Sequence, residues 1–187
     1  MKSHGRNVFA NIVVALMLAI SLPAYASKLT DAVNNGDAAE VRRLITQGAD
    51  IEMSNLYNEP PLYIAAKKGY TEIAQLLINA NADVNKAYHT FQTPLFTAAE
   101  NGHVDIVKLL LEAKANVESE EAKDATPLYI ASEKGHAEIV RLLINAKANV
   151  NVVLYDSNRM TPLIAATKGG HTDAVRLLLD SIVTTSM

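Results

Sequence analysis

The chain has 187 residues, and its 17 basic and 20 acidic side chains give a formal net charge of −3. A hydrophobic share of 49% excludes an intrinsically disordered chain, and the absence of cysteine excludes disulfides, thiol catalysis and cysteine-based zinc sites. The mild acidity argues against a general nucleic-acid binder, which is usually basic. Because only 5% of the residues are aromatic, we expect a core of aliphatic side chains.

The first 26 residues have the pattern of a secretory signal peptide. Lys2 and Arg6 form a basic start, residues 8–22 are almost wholly apolar, and Ala24 and Ala26 supply an A-x-A cleavage site. We therefore expect cleavage after Ala26 and a periplasmic or secreted mature protein. The alternative is that residues 8–22 stay as a membrane anchor, although this run is shorter than the roughly 20 residues of a spanning helix.

The rest of the chain repeats a unit of 33 residues. A proline begins each unit and a glycine follows eight residues later; the prolines are Pro61, Pro94, Pro127 and Pro162. Thr before Pro predicts a helix start, and the glycine predicts the end of that short helix. A Leu-Leu pair then marks a second, amphipathic helix. Gly36 lies 33 residues before Gly69 and indicates a further, partial unit at the N-terminal end.

This frame resembles the ankyrin repeat. One unit reads Thr93-Pro94-Leu95, Ala98-Ala99, Gly102-His103, Ile106-Val107, Leu109-Leu110 and Ala115-Asn116-Val117, and the frame recurs over roughly residues 28–182. The resemblance implies an all-α solenoid of stacked helix-turn-helix pairs with hairpin loops, and a concave face made of the first helices and the loops. The expected solenoid has about four full repeats, which follow an N-terminal partial capping repeat.

The expected domains follow from this frame. They are a signal peptide at 1–26 and an ankyrin-repeat domain at 27–187, with a capping unit at 28–52 and repeats at about 53–85, 86–118, 119–151 and 152–182.

The sequence departs from the family's pattern mainly at and near the loops. The usual T-P-L-H histidine is replaced by Tyr63, Phe96, Tyr129 and Ile164. The glycine usual near the loop tip is replaced by Asn58, Phe91, Asp124 and Arg159. We expect the rings at 63, 96 and 129 to pack inside the stack. Packing between loops and contact with a partner both remain open for the loop tyrosines Tyr57, Tyr88 and Tyr155.

No motif of an enzyme stands out. The sequence has no G-x-S-x-G, P-loop or H-E-x-x-H motif. His103, His136 and His171 each follow a repeat glycine, and the resemblance implies that such a histidine holds the turn between helices. The stack would space them one repeat apart, so we do not expect them to converge on one metal ion. We therefore expect no catalytic activity, cofactor or metal.

The resemblance implies a protein-binding module that uses its loop tips and the two residues before each repeat glycine. Tyrosine in loops suits this role because it offers a large contact area with few torsions. The loop candidates are Tyr57, Glu59, Tyr88, His89, Phe91, Gln92, Lys123, Tyr155 and Arg159. The candidates before the glycines are Lys67, Lys68, Glu100, Asn101, Glu133, Lys134 and Lys168.

We expect an exported monomer that binds another protein, does not bind nucleic acid, and meets the membrane only through its signal segment. Its role toward the partner stays open between inhibitor, immunity-type protein and scaffold. The rival interpretation is a membrane-tethered structural or scaffold protein.

Overall fold

The computed structural model describes residues 28–88, 92–118, 125–154 and 159–185, so the expected signal peptide lies outside the described residues. Ten helices occur within these ranges. They are α1 (28–34), α2 (Ala38–Thr46), α3 (Pro61–Lys68), α4 (Thr71–Asn79), α5 (Pro94–Glu100), α6 (Val104–Glu112), α7 (Pro127–Lys134), α8 (Ala137–Asn145), α9 (Pro162–Lys168) and α10 (Thr172–Thr185).

The helices stack in two rows. Helices α3, α5, α7 and α9 contact one another in sequence and form the first-helix row, while α2, α4, α6, α8 and α10 form the second row. Each helix of the first row also packs against the helix that follows it in the chain. The predicted all-α solenoid of helix pairs is confirmed. In the part of the chain that the structure describes, no helix has the length and apolar character needed to cross a membrane.

Local capping explains where the first-row helices begin. The hydroxyl of Thr93 accepts a hydrogen bond from the N–H of Phe96 at 3.2 Å, and Thr126 and Thr161 cap α7 and α9 in the same way. The proline that follows each threonine has no N–H to leave unpaired in the first turn. Pro60 stands at this position before α3 and provides no side-chain cap.

Three histidines join each of the last three repeats to the repeat before it. Their Nε2 atoms lie 2.9 to 3.2 Å from backbone oxygens of the preceding repeat; the pairs are His103 with Lys67, His136 with Glu100 and His171 with Glu133. The ring occupies the space beside the preceding glycine, so that a Cβ on Gly102 would lie 2.8 Å from Cε1 of His136. These histidines therefore stabilise the stack between repeats, and the role in the turn that the resemblance implies stays a prediction.

The first junction is built from different side chains. Tyr70 stands where the later repeats have histidine, and its ring lies 3.0 Å from the position of a Cβ on Gly36. The backbone oxygen of Asn34, which corresponds to that of Lys67 one repeat later, accepts a hydrogen bond from Nζ of Lys68 at 3.0 Å. A lysine thus makes the contact that histidine makes elsewhere.

A second set of hydrogen bonds connects the repeats just after the second-row helices. Oδ1 of Asp83 accepts a hydrogen bond from the N–H of Asn85 at 2.9 Å. Oδ1 of Asn85 accepts one from the N–H of Asn116 in the next repeat at 2.8 Å. The equivalent bonds between repeats join Glu52 to Asp83 and Glu118 to Asn149. We call this series the polar ladder; it fixes the register of the units between residues 28 and 151 on one another.

Three rings pack at one position of the first-row helices. Tyr63, Phe96 and Tyr129 are 3%, 2% and 6% exposed, which confirms their predicted packing role. Ile164 has the same position in α9 but is 41% exposed. Among the described helices, α9 has a first-row neighbour on one side only, so nothing covers this side chain.

Candidate partner-binding surface

An open groove of about 500 Å³ lies on the first-helix row. It is lined by Tyr63, Lys67, Tyr88, Gln92, Thr97, Glu100, Asn101 and Lys134, which come from α3, α5, α7 and neighbouring loop positions. Six of these eight residues, all except Tyr63 and Thr97, are candidates from the sequence analysis. The stacking therefore brings pre-glycine residues of three repeats together with one loop.

Two tyrosines form one wall of the groove. The ring centroids of Tyr63 and Tyr88 are 4.7 Å apart and the rings are tilted by 33°. The Tyr63 hydroxyl donates a hydrogen bond to Oε1 of Gln92 at 3.1 Å, and the backbones of Tyr88 and Gln92 pair across the loop. Burial raises the pKa of Tyr63 despite the nearby charge of Lys67, so its hydroxyl stays a proton donor. Tyr88 therefore packs on Tyr63 while remaining half-exposed in the groove.

An ion pair supports this wall from the loop side. Nζ of Lys67 lies 2.9 Å from Oε1 of Glu59 and 5.8 Å from the centroid of the Tyr63 ring. Burial alone would raise the pKa of Glu59, but hydrogen bonds from Asn55 and Lys67 outweigh it and hold the pKa below its usual range. The same hydrogen bond raises the pKa of Lys67. The two charges largely neutralise each other, so this part of the groove carries little net charge.

The opposite wall carries charges that have no partner among the described residues. Glu100 is half-buried at the end of α5, and Lys134 is exposed at the end of α7. Asn101 follows Glu100 and donates a hydrogen bond from its amide to the backbone oxygen of Thr97 at 2.8 Å. The groove thus offers one carboxylate and one ammonium group to an incoming surface.

The remaining described candidates lie around the groove. Tyr57 is 74% exposed at a loop tip. Lys68 is engaged at the first junction, and Glu133 accepts a hydrogen bond from the Tyr129 hydroxyl at 3.3 Å. Nζ of Lys168 lies 3.4 Å from the sulfur of Met160. Arg159 is exposed and has a φ of 46°, which is the left-handed conformation that the family's usual glycine would adopt.

Four candidates lie outside the described residues. They are His89, Phe91, Lys123 and Tyr155.

Sequence reasoning missed Thr97 as a groove residue. It is 2% exposed and stands where other repeats have Ile64, Ile130 and Ala165. This replacement of an apolar residue by a hydroxyl was the available signal. No group of three or more His, Asp or Glu side chains suited to a metal ion occurs in the described ranges.

In a comparison with known protein families, the chain matches one family model. The model of ankyrin repeats in three copies matches residues 29–121 and again residues 114–186. A search of curated proteins finds no match. Ankyrin repeats generally mediate contacts between proteins and are typically not catalytic. The stacked helix pairs, the bridging histidines and the sequence match lead to the same conclusion: this chain belongs to the ankyrin-repeat family.

Proposed function

We propose that the chain is an exported protein that binds one partner protein through the groove and the adjacent loop tips. The observation that carries the proposal is the assembly of the groove from three successive repeats by hydrogen bonds within the chain. Tyr63, Tyr88 and Gln92 hold one another in place before any partner arrives. Binding then orders few side chains, so less of the contact energy is lost to entropy.

The shape and lining of the groove favour a protein over a small molecule. Small-molecule sites are usually enclosed and mainly apolar, with a few polar groups that fix orientation. This groove is open, and most of its lining residues are polar or charged. Such a surface suits the polar and aromatic contacts of a protein interface.

The groove can be tested with paired charge substitutions. We expect Glu100→Ala combined with Lys134→Ala to reduce recovery of the partner in affinity purification from the native envelope. Two contacts of about 1 kcal/mol each correspond to a loss of affinity of about thirtyfold. Lys108→Ala combined with Glu112→Ala is the control for loss of one basic and one acidic side chain, because both residues are exposed on α6 in the second row; Lys108 gives up only an exposed ion pair with Asp105.

Two outcomes of that experiment are decisive. Loss of the partner with the groove variant alone, and unchanged urea unfolding of both variants, supports the groove as the binding site. Equal recovery of the partner with both variants shows that the groove is not the binding site.

Export is supported by the signal pattern of residues 1–26. Mass spectrometry of the mature protein decides between the two interpretations of this segment. An N-terminus at Ser27 supports export with cleavage, whereas an N-terminus at Met1 supports the membrane-tethered scaffold.

For the biological role, we propose inhibition of, or immunity against, an exported enzyme, because a rigid binding surface of this size can block an active site. Recovery of a hydrolase or toxin with the wild-type chain supports this role. Copurification that yields only non-enzymatic envelope proteins contradicts it and favours a scaffold.

A further inference from the structure

The end of α5 differs from the ends of the two first-row helices beside it. Helices α3 and α7 continue for one residue more and end on Lys68 and Lys134, the residues directly before their repeat glycines. Helix α5 ends at Glu100, so the corresponding residue, Asn101, lies outside the helix and is exposed. The turn after α5 therefore contains an asparagine followed directly by Gly102.

The backbone N–H of Gly102 also differs from those of the other repeat glycines. It donates no hydrogen bond within the part of the chain that the structure describes. The other repeat glycines each donate one to a backbone oxygen of the helix that they follow; the pairs are Gly36 with Val33, Gly69 with Ala65, Gly135 with Ser132 and Gly170 with Thr167. Such a bond holds the peptide plane in place, so the plane between Asn101 and Gly102 is held less firmly.

Asparagine followed by glycine is the pair most prone to deamidation, because glycine has no Cβ to hinder the reaction. The nitrogen of Gly102 attacks Cγ of Asn101 and loses its proton, the bond from Cγ to the amide nitrogen breaks, and ammonia leaves. Water then opens the cyclic imide at either carbonyl carbon and yields aspartate or isoaspartate. Ring closure requires rotation about the Cα–C bond of Asn101, where ψ is 1°, and water is the only other reactant.

The chain contains a second pair of this type, Asn35-Gly36, which directly follows α1. Its asparagine is exposed as well, but the N–H of Gly36 donates to the Val33 oxygen at 3.1 Å. Attack by this nitrogen requires that the hydrogen bond break, in addition to the rotation that ring closure needs in both pairs. The two pairs thus share the same reacting residues and differ in this hydrogen bond.

We propose that Asn101 is a site of spontaneous deamidation in the folded chain, and that the reaction makes the groove anionic. Before the reaction the pair of Glu59 with Lys67 carries little net charge, and the groove has one further carboxylate and one further ammonium group. A carboxylate at 101 adds a negative charge directly after Glu100. It also replaces the amide that donates to the Thr97 oxygen at 2.8 Å, so the new group is repelled by that oxygen and turns away from it.

Isoaspartate has a second effect, on the junction with the next repeat. It inserts a methylene group into the backbone between Glu100 and Gly102. Nε2 of His136 lies 3.1 Å from the backbone oxygen of Glu100, and Cε1 of the same ring lies beside Gly102. The extra atom therefore displaces a contact that joins the two repeats.

Deamidation also weakens partner binding, and this part of the inference rests on the proposed function. A carboxylate that becomes buried in an interface without a basic group opposite it loses its hydration and gains no ion pair. The reaction therefore lowers the affinity of the groove as the protein ages.

The test follows deamidation of the full, folded chain in mildly alkaline buffer by mass spectrometry. Asn101 and Asn35 fall in separate tryptic peptides, 87–108 and 29–42. We expect Asn101 to react about fivefold or more faster than Asn35, because one backbone hydrogen bond of ordinary strength corresponds to about that factor in rate. In urea that unfolds the chain the two rates should become similar, which is the control for effects of sequence alone.

Three results overturn the site. They are equal rates in the folded chain, a faster reaction at Asn35, and reaction of neither residue until urea is added.

The effect on the groove is measured with the deamidated fraction, separated by anion exchange. This fraction and Asn101→Asp should each recover less partner from the native envelope than the intact chain. Asn35→Asp is the matched control, because Asn35 does not line the groove, and it should recover as much as the intact chain. Unchanged recovery with Asn101→Asp contradicts the effect on binding. An intact chain that recovers no partner contradicts the proposed function, whereas the mass spectra still decide whether Asn101 deamidates.

Discussion

Substituting Gly102 by alanine tests whether the histidine contacts hold the stack. Gly102 has a φ of 77°, a conformation that an alanine adopts only with strain. The new Cβ would also lie 2.8 Å from Cε1 of His136, so the ring must move. Because Nε2 of this ring is 3.1 Å from the backbone oxygen of Glu100, the movement breaks a contact between repeats.

The expected loss of stability is the sum of these two effects. The left-handed conformation costs about 1–2 kcal/mol for a residue with a Cβ. Loss of the hydrogen bond adds about 0.5–1.5 kcal/mol. Together these give roughly 1.5–3.5 kcal/mol, which for a domain of this size lowers Tm by roughly 3–14 °C.

Urea unfolding followed by circular dichroism measures this loss, and Gly48 supplies the control. Gly48 has a φ of 80°, but a Cβ there would have no atom within 4 Å. Gly48→Ala should therefore cost only the conformational part, about 1–2 kcal/mol. In a His136→Ala background, Gly102→Ala should cost no more than Gly48→Ala, because the ring is gone. Equal losses for the two glycine variants in the unchanged background would refute the argument.

Three further predictions follow from helix capping, pH and burial. Thr126→Ala should cost about 1 kcal/mol in urea unfolding because α7 loses its N-cap, while Thr126→Ser should restore most of it. Because the pKa of Glu59 is lowered in the fold, its pair with Lys67 stabilises the protein above the ordinary carboxyl pKa and loses this effect as the pH falls. The difference in unfolding free energy between the unchanged chain and Glu59→Gln should therefore shrink between pH 6 and pH 3. A difference that stays constant over this range would contradict the pair. Phe96→Ala should cost about 3–5 kcal/mol, but Ile164→Ala less than about 1 kcal/mol, although both residues hold the same repeat position; similar losses would show that α9 is covered.

The repeat frame could be inferred from the sequence because its signals are local. Thr126, Pro127 and Gly135 mark the start and end of α7 within ten residues, and the same marks recur in other units. Glu100 and Lys134 could be placed on one surface because each belongs to the pair of residues that precedes a repeat glycine, at adjacent register positions. Register alone therefore brought most of the groove residues together.

The contacts between repeats were harder to predict from the sequence. Lys68 donates to the backbone of Asn34 across 34 positions, and no local pattern marks a backbone oxygen as its acceptor. The sequence alone does not separate packing from partner contact for Tyr88, because only the folded stack shows its ring against Tyr63. The exposure of Leu56 also depends on the path of the loop at residues 55–59, which the hydrogen bonds of Asn55 to the N–H groups of Tyr57 and Glu59 determine.

The polar ladder has a consequence for how this protein can change. The ladder bond described above that lies nearest the C-terminal end joins Glu118 to Asn149, before the loop at 152–160, which is two residues longer than the others. Beyond that loop, Nε2 of His171 still lies 2.9 Å from the backbone oxygen of Glu133. Loop length and repeat spacing are thus independent, so residues can be inserted between Asn149 and α9 while the scaffold keeps its dimensions. New specificity can be grafted at that loop without redesigning the stack.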